Sequence, residues 1–152
     1  MLKNLFLLSG FVVLTIILMG CWERKPTYVY LMLHPDYLQR VYNQCVETVT
    51  AASLPCDVIM RAQSDFTSLV NQREQDAERF GAQILQAQEN SSVLKIKFNA
   101  AVSAYQTVGK TNPSLDALKN TRLEVDKARA AYKVSIENVR ILLTVVAATS
   151  TM

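Results

Sequence analysis

The chain has 152 residues, half of them hydrophobic, and carries a net charge of +3 from 16 basic and 13 acidic residues. This length allows one domain with a modest core and excludes a large enzyme with separate substrate and cofactor domains. Charges of both signs are interspersed, and the lack of a basic block argues against a nucleic-acid-binding surface.

The first twenty residues have the three parts of a bacterial export signal. Lys3 follows the initiating methionine, an apolar stretch covers 5–18, and the small residue Gly20 precedes Cys21. The apolar stretch is shorter than the roughly 20 residues that cross a bilayer, and a tryptophan and charged residues follow directly, which favours a cleaved signal over a spanning helix. We therefore predict a signal peptide over 1–20.

The run Leu18-Met19-Gly20-Cys21 resembles the bacterial lipobox, whose last residue is the lipidated cysteine. The resemblance implies a diacylglycerol and an acyl chain on Cys21 and no other cofactor. An anchor with two or more chains holds a protein on a membrane durably. Trp22 stands where inner-membrane lipoproteins usually carry aspartate, which favours the outer membrane. We expect a mature chain that is anchored to a membrane of the bacterial envelope and faces the periplasm.

The two other cysteines form a candidate structural pair. With Cys21 assigned to lipid, Cys45 and Cys56 remain together in an oxidising compartment, where disulfides persist. A bridge between them would stabilise the chain by about 2.5–3 kcal/mol in the loop-entropy treatment. Free thiols and an intermolecular bond are the alternatives. Neither cysteine belongs to a CxxC pair and His34 is the only histidine, so no metal or thiol-redox site is predicted.

Prolines and scarce glycines divide the mature chain into helical segments. We predict an all-α fold: a lipidated tether over 21–34, a short disulfide-stapled helical head over 35–62, and a long antiparallel, coiled-coil-like helical hairpin over 63–152. The apolar and aromatic stretch inside the tether segment is interpreted as an extended piece laid against a helix, or as tether alone. The first helix of the head should begin at Pro35 and end near Val49.

A long apolar stripe predicts the outgoing arm of the hairpin. Between Asp57 and Val108 the spacing alternates almost throughout between three and four residues, and an unbroken helix of this length would measure about 75 Å. Gly81 and residues 90–92 are the places where it could kink. The stripe consists of Ile59, Ala62, Phe66, Leu69, Arg73, Ala77, Phe80, Ile84, Ala87, Ser91, Leu94, Phe98, Val102 and Tyr105.

A turn and a return arm complete the predicted hairpin. Gly109 should end the outgoing helix, and Asn112 should cap the next one with Pro113 at its first position. The apolar end of the return arm, 141–148, is too short to span a bilayer and is expected to pack near the disulfide, with an oligomer contact as the alternative. The return stripe consists of Leu115, Leu118, Arg122, Val125, Ala128 or Arg129, Tyr132, Ile136, Val139 and Leu143.

No sequence pattern indicates catalysis. Gly109-Lys110-Thr111 resembles the tail of a phosphate-binding loop, yet Ala104 occupies the position of a required glycine. The carboxylates of the helical segments are typical of a solvated surface. His34 lies beside no recognisable nucleophile. We therefore predict that the protein is not an enzyme.

The first third of the mature chain resembles a known family. Behind the lipobox, the run Tyr30 to Leu38 contains His34-Pro35, and two cysteines follow. This layout resembles the short entry-exclusion lipoproteins (EexN-like) encoded with conjugative type IV secretion systems, over about residues 21–62. The resemblance implies a non-enzymatic lipoprotein that blocks redundant plasmid entry by contacting a protein of the transfer apparatus. It implies a partner-binding surface on the disulfide head that includes His34, Pro35, Tyr37 and Leu38.

The long hairpin supports a second hypothesis, because it extends beyond the usual length of that family. In this hypothesis the chain is a structural coiled-coil lipoprotein that bridges or stabilises a complex of the cell envelope. The helical stripe could then also join two copies of the chain.

Overall fold

The computed structural model describes residues 26–47, 55–111 and 113–150. Within these ranges the chain is all-α, as the sequence predicts. Helices α4 and α5 form the antiparallel hairpin, and the three shorter helices pack at its open end. None of the described helices combines the length and the apolar character needed to span a membrane. The helices are α1 (Tyr28–Leu33), α2 (Pro35–Glu47), α3 (Cys56–Gln75), α4 (Ala77–Lys110) and α5 (Leu115–Ser150).

Helix α1 occupies the segment for which the sequence predicted extended chain or tether. The hydroxyl of Thr27 caps it by accepting a hydrogen bond from the N–H of Tyr30 at 3.3 Å. Leu31 and Met32 are fully buried. A helix this short does not form by itself, but a cap and two buried side chains stabilise it against the rest of the head. The extended interpretation is therefore wrong from Tyr28 onward.

Helix α2 and the disulfide follow the sequence prediction. The helix begins at Pro35 and buries Leu38 and Val41. A disulfide joins Cys45, near the end of α2, to Cys56, the first residue of α3, with the two Cα atoms 5.7 Å apart. The predicted bridge is confirmed, and it fastens the end of one helix to the start of the next. The predicted end of this helix, near Val49, lies outside the described residues.

The long helix predicted from Asp57 is interrupted at Asp76. The backbone of Asp76 is non-helical (φ −151°, ψ 84°), so α3 ends before it and α4 begins after it. Its carboxylate accepts a hydrogen bond from the N–H of Arg79 at 2.9 Å and thereby caps α4. The helix is continuous at Gly81 and at 90–92, where a kink was considered. The predicted rod of about 75 Å is therefore wrong, and α4 measures about 50 Å.

The interruption turns α3 back against the base of the hairpin. Phe80, Leu142 and Val145 form a buried group, called here the base cluster. Phe66 of α3 packs against the same cluster. In one continuous helix Phe66 and Phe80 would lie about 21 Å apart, too far to share these neighbours. Three helices therefore converge where the sequence predicted two.

A second buried group holds the head together and includes the end of the hairpin. Ile141 of α5 packs among head residues, as predicted for this apolar segment. Arg73 of α3 also donates a hydrogen bond to the hydroxyl of Ser150 at 3.4 Å. This head cluster consists of Leu31, Met32, Leu38, Val41, Ile59, Ala62 and Ile141.

The predicted stripe faces the expected way. Of its members only Ala77 and Tyr105 are exposed. Farther from the head, the ring of Phe98 stacks on that of Tyr132 across the seam between α4 and α5, with centroids 6.2 Å apart. The α4 part of the stripe packs against α5, whereas Ile59 and Ala62 of α3 belong to the head cluster.

The return stripe is shifted near its end. Leu143 was predicted to face inward but is exposed, whereas Leu142 and Val145 are fully buried. The shift arises because this part of α5 meets α1 and α3 as well as α4. At the other end Leu115, also predicted inward, is exposed, as is Arg122.

The hairpin turn is built differently from the prediction. Helix α4 continues past Gly109 to Lys110. The cap of α5 is Ser114, whose hydroxyl accepts a hydrogen bond from the N–H of Ala117 at 3.2 Å. Pro113 therefore precedes the capping residue instead of following it. Serine is a good capping residue because its hydroxyl accepts a hydrogen bond from a backbone N–H in the first turn of the helix. The predicted cap, Asn112, lies outside the described residues.

Replacing Gly81 with alanine should raise the free energy of unfolding by about 0.5–1 kcal/mol. Gly81 lies inside α4, where glycine is a poor helix former, and a Cβ built there meets no atom within 4 Å beyond the adjacent backbone of its own helix. Urea unfolding followed by circular dichroism measures the change. Gly109→Ala is the matched control: its site is equally open, but it lies in the last turn, so the gain should be smaller. A loss of stability in Gly81→Ala would contradict this reasoning.

Candidate functional site

A surface of aromatic and basic side chains is the most distinctive feature of the head. The ring of Tyr30 lies 4.3 Å from that of His34 and 5.5 Å from that of Tyr37, the latter edge to face. The guanidinium of Arg40 lies 5.8 Å from the Tyr37 ring. We call these four residues the aromatic surface. Tyr30 is 46% exposed.

The joint between α1 and α2 brings these rings together. His34 is the only residue between the two helices: its N–H donates to the carbonyl of Leu31 at 3.1 Å, and its carbonyl accepts from the N–H of Leu38 at 2.9 Å. Pro35 follows as the first residue of α2, where its missing N–H costs nothing. Because a single residue joins the two helices, the end of α1 and the start of α2 lie close together and bring these side chains into contact.

The residues predicted to bind a partner are placed as follows. His34 is exposed, and Tyr37 and Pro35 are half-buried beside it. Leu38 is 1% exposed and belongs to the head cluster, so it supports the surface from below and does not present its side chain to a partner.

Two members of this surface, Tyr30 and Arg40, were not among the predicted partner-binding residues. The available signal was the spacing. Tyr30 precedes His34 by four residues and Tyr37 follows His34 by three, which are the separations of neighbours on one helical face. The signal was hidden because the segment around Tyr30 was interpreted as extended chain, in which such residues are not neighbours.

A polar contact on the other side of α1 fixes the helix to α3. The hydroxyl of Tyr28 donates a hydrogen bond to Oδ2 of Asp65 at 2.7 Å. The Nε of Arg61 lies 3.8 Å from the same oxygen, and its guanidinium lies 5.6 Å from the Tyr28 ring. Burial, the hydrogen bond and the negative charge of Asp65 raise the pKa of Tyr28 from 10.0 to about 12, although Arg61 acts in the opposite direction.

The raised pKa of Tyr28 predicts a loss of stability at high pH. The fold favours the neutral phenol, so its contribution is complete below about pH 10 and disappears as the pH rises through about 12. Tyr28→Phe should remove this pH dependence and lower the free energy of unfolding near neutral pH by about 1 kcal/mol, the value of one hydrogen bond. Unfolding measured at pH 7 and between pH 9 and 12 tests both effects.

Absorbance at 295 nm provides a control for this assignment. The wild type should show one tyrosine that ionises near pH 12, and Tyr28→Phe should lack that step. Tyr30→Phe also removes one phenol but leaves the Tyr28–Asp65 hydrogen bond intact, so the late step should persist. A late step that survives in Tyr28→Phe would show that another tyrosine is responsible.

No group of three histidine, cysteine, aspartate or glutamate side chains among the described residues could hold a metal ion. An open groove beside the helix break is lined by four glutamines, among them Gln72 and Gln83, and by four other residues of mixed character. Of the predicted site residues, Cys45 and Cys56 are bonded to each other, and Cys21 lies outside the described residues.

Comparisons of the chain with protein-family models, with curated proteins and with solved structures find no match. The aromatic surface is therefore the candidate site on the strength of its own residues.

Proposed function

We propose that the chain is a lipid-anchored, periplasm-facing protein of a conjugation or type IV secretion locus. In this proposal it excludes incoming plasmids by binding a protein of the transfer apparatus through the head, and its anchor lies in the outer membrane. The lipobox at Cys21 and the likeness of residues 21–62 to entry-exclusion lipoproteins support it. The observation that carries most weight is the exposed aromatic surface on a head that a disulfide fastens.

The position of the anchor relative to the head supports a site of action close to the membrane. Cys21 and Pro26, the first described residue, are five residues apart, and a chain of this length reaches at most about 18 Å. Tyr30 follows one helical turn later. A head on so short a connection presents the aromatic surface to partners that lie in or against the same membrane.

The composition of the aromatic surface suits a protein partner. Tyrosine and arginine are the residues, together with tryptophan, that most often dominate binding energies at protein interfaces. The side chains of Tyr30, His34 and Tyr37 are already in mutual contact. Little conformational entropy is then lost on binding, which favours affinity.

A plasmid-exclusion assay tests the proposal. Cells that carry the double variant Tyr30→Ala/Tyr37→Ala should receive an incoming related plasmid at least ten times more often than cells with the wild-type protein. Both substitutions remove rings from the surface. Because Tyr37 also packs against the head cluster, Tyr30→Ala alone, whose side chain lies outside that cluster, should change exclusion in the same direction. Tyr105→Ala is the matched control, because it removes a 37% exposed tyrosine from the hairpin.

Protein amount, helix content and lipidation of Cys21 by mass spectrometry must be equal in all strains. Undiminished exclusion in the double variant would contradict a role for the aromatic surface. An unprocessed Cys21 in the wild type would contradict the anchor itself.

The length of the hairpin favours a second candidate, a structural protein that bridges parts of an envelope complex. Helix α4 alone extends about 50 Å. Deleting one heptad from each arm, 98–104 and 126–132, distinguishes the two candidates. Because Phe98 and Tyr132 face each other, the two deleted segments also face each other, and the seam stays in register. Plasmid exclusion by the head should survive this change, whereas a bridge of fixed length should fail.

A further inference from the structure

A trough lined by amide side chains runs along one flank of α4. It consists of two adjoining open cavities, of about 670 and 460 Å³, that share Gln83 and Gln86. The first cavity lies beside the helix interruption at Asp76, and the second is lined by residues of α4 and by Asn138 of α5. We call this feature the amide trough. Its amide side chains are Gln72, Gln75, Gln83, Gln86, Asn90 and Asn138.

Most of these amides have no hydrogen-bond partner within the described part of the chain. The exception is Gln72, whose Nε2 donates to the hydroxyl of Ser68 at 3.3 Å. Glutamines of the head behave differently: Gln63 donates to Oε1 of Gln39 at 3.4 Å, and Gln39 donates to Asn43 at 3.0 Å. A primary amide carries both donors and an acceptor. The trough therefore presents both kinds of group to a ligand.

The remaining lining of the trough restricts the class of ligand. Its charged residues are Asp76, Arg79 and Glu89, and the carboxylate of Asp76 already caps α4. Charges of both signs and small number do not select a phosphate or a strongly charged peptide. Phe80 is the one aromatic residue of the lining, and it is 3% exposed, so it offers no ring face on which a sugar could stack. A helix would also fit poorly, because it satisfies its own backbone groups and would leave the amides against side chains.

The spacing of the amides on α4 suits an extended polypeptide. Gln83, Gln86 and Asn90 follow one another at three and four residues, so they lie on one side of the helix with rises of about 4.5 and 6 Å. In an extended chain the backbone groups that point to one side recur about every 6.6 Å. One side-chain amide can donate to a backbone carbonyl and accept from a backbone N–H. Neighbouring amides of the trough can thus bind alternate residues of one strand.

We propose that the amide trough binds an extended, uncharged segment of a partner polypeptide through the backbone of that segment. From Asp76 to Val93 the helical rise is about 25 Å, which corresponds to about seven or eight residues of extended chain. The bound segment crosses the helix interruption, with two glutamines of α3 on one side and two of α4 on the other. Plasmid exclusion plays no part in this binding, and the trough shares no residue with the aromatic surface.

Selection of peptides against the full-length chain tests the proposal. A phage-displayed library of random octapeptides is the probe, and the enriched sequences are then synthesised with an acetylated N-terminus and an amidated C-terminus. These peptides should be uncharged, should bind in calorimetric titrations and should compete with one another for one site. A library from which no peptide binds in solution, or only helical or highly charged peptides bind, would overturn the proposal.

The variant Gln83→Met/Gln86→Met locates the binding site. Methionine keeps the length and the helix preference of glutamine but removes the amide, so peptide binding should weaken at least tenfold. Gln88→Met/Gln106→Met is the matched control, because both residues are exposed glutamines of α4 that do not line the trough. Circular dichroism verifies that each variant keeps its helices. Equal binding by the trough variant and the wild type would overturn the proposal.

Methylation of the peptide backbone distinguishes recognition of the backbone from recognition of side chains. A methyl group on one backbone nitrogen removes one donor and leaves every side chain in place. Methylation at alternate positions should weaken binding at least tenfold, whereas methylation at the positions between them should have little effect. No effect at any position, or an equal loss at every position, would overturn the proposal.

Chitotetraose is the probe for a sugar ligand, because it is an uncharged chain that also carries amide groups. It should not bind measurably to the wild-type chain. Binding of chitotetraose that is lost in Gln83→Met/Gln86→Met would assign the trough to a glycan and overturn the proposal.

Discussion

Replacing Phe80 with alanine is expected to lower the free energy of unfolding by about 3–5 kcal/mol, the range found for large buried aromatic residues. Phe80 is 3% exposed and belongs to the base cluster with Leu142 and Val145. Three helices meet there, so no single helix can move to fill the cavity without losing contacts to the other two. Urea unfolding followed by circular dichroism measures the effect.

Phe98→Ala is the matched control for this prediction. It makes the same chemical change in the same helix, but Phe98 is half-buried and stacks on Tyr132 in a seam of only two helices. The expected loss is about 1–2 kcal/mol. Equal losses in the two variants would mean that the base of the hairpin is no more important to stability than its middle.

Removal of the disulfide is expected to cost about 2.5–3 kcal/mol. The bridge closes a loop between residues separated by 11 positions, and opening it increases the conformational freedom of the unfolded chain. The variant Cys45→Ala/Cys56→Ala avoids a single unpaired thiol. Its urea midpoint should fall, while its helix content under native conditions should stay close to that of the wild type.

Reduction of the wild type controls for the substitutions themselves. Dithiothreitol should lower the stability of the wild-type chain by about the same amount and leave the double variant unchanged. A much smaller effect of reduction would indicate that the alanines act by lost packing against the head cluster, in which the half-buried Cys45 takes part.

Much of the helical architecture could be predicted from periodicity and spacing. The stripe that includes Ile59, Ala62 and Phe80 correctly identified residues that are buried, because an apolar residue every three or four positions is a direct consequence of helical geometry. The pairing of Cys45 with Cys56 was also predictable, since few partners were available. The helical stripe was predictable because the same three-or-four-residue spacing recurs many times along the chain.

The helix interruption at Asp76 was not predicted because its signal in the sequence is a single residue. A single aspartate on a helix is usually a solvated carboxylate, and the apolar spacing continues through the interruption. The order of charges was the available clue: Arg73 lies in the last turn of α3 and Glu78 in the first turn of α4, which is the order expected where one helix ends and another begins.

The aromatic surface was predicted in part. His34 and Tyr37 were identified through a resemblance to a family, but Tyr30 requires knowledge that α1 is helical. That helix has only six residues and depends on contacts with α3 and α5, which are distant in sequence. Tertiary contacts, and not local preference, decide the conformation of so short a segment.

The single non-helical residue Asp76 sets the direction of the long helix α4 relative to α3. The tip of α4 lies about 50 Å from that joint, so a change of about 10° in the direction of the helix would displace the tip by about 9 Å. Small adjustments at the head would thus be magnified at the far end. The base cluster around Phe80, next to that joint, fixes the direction in which α4 leaves the head, and the seam with α5 keeps the two arms together.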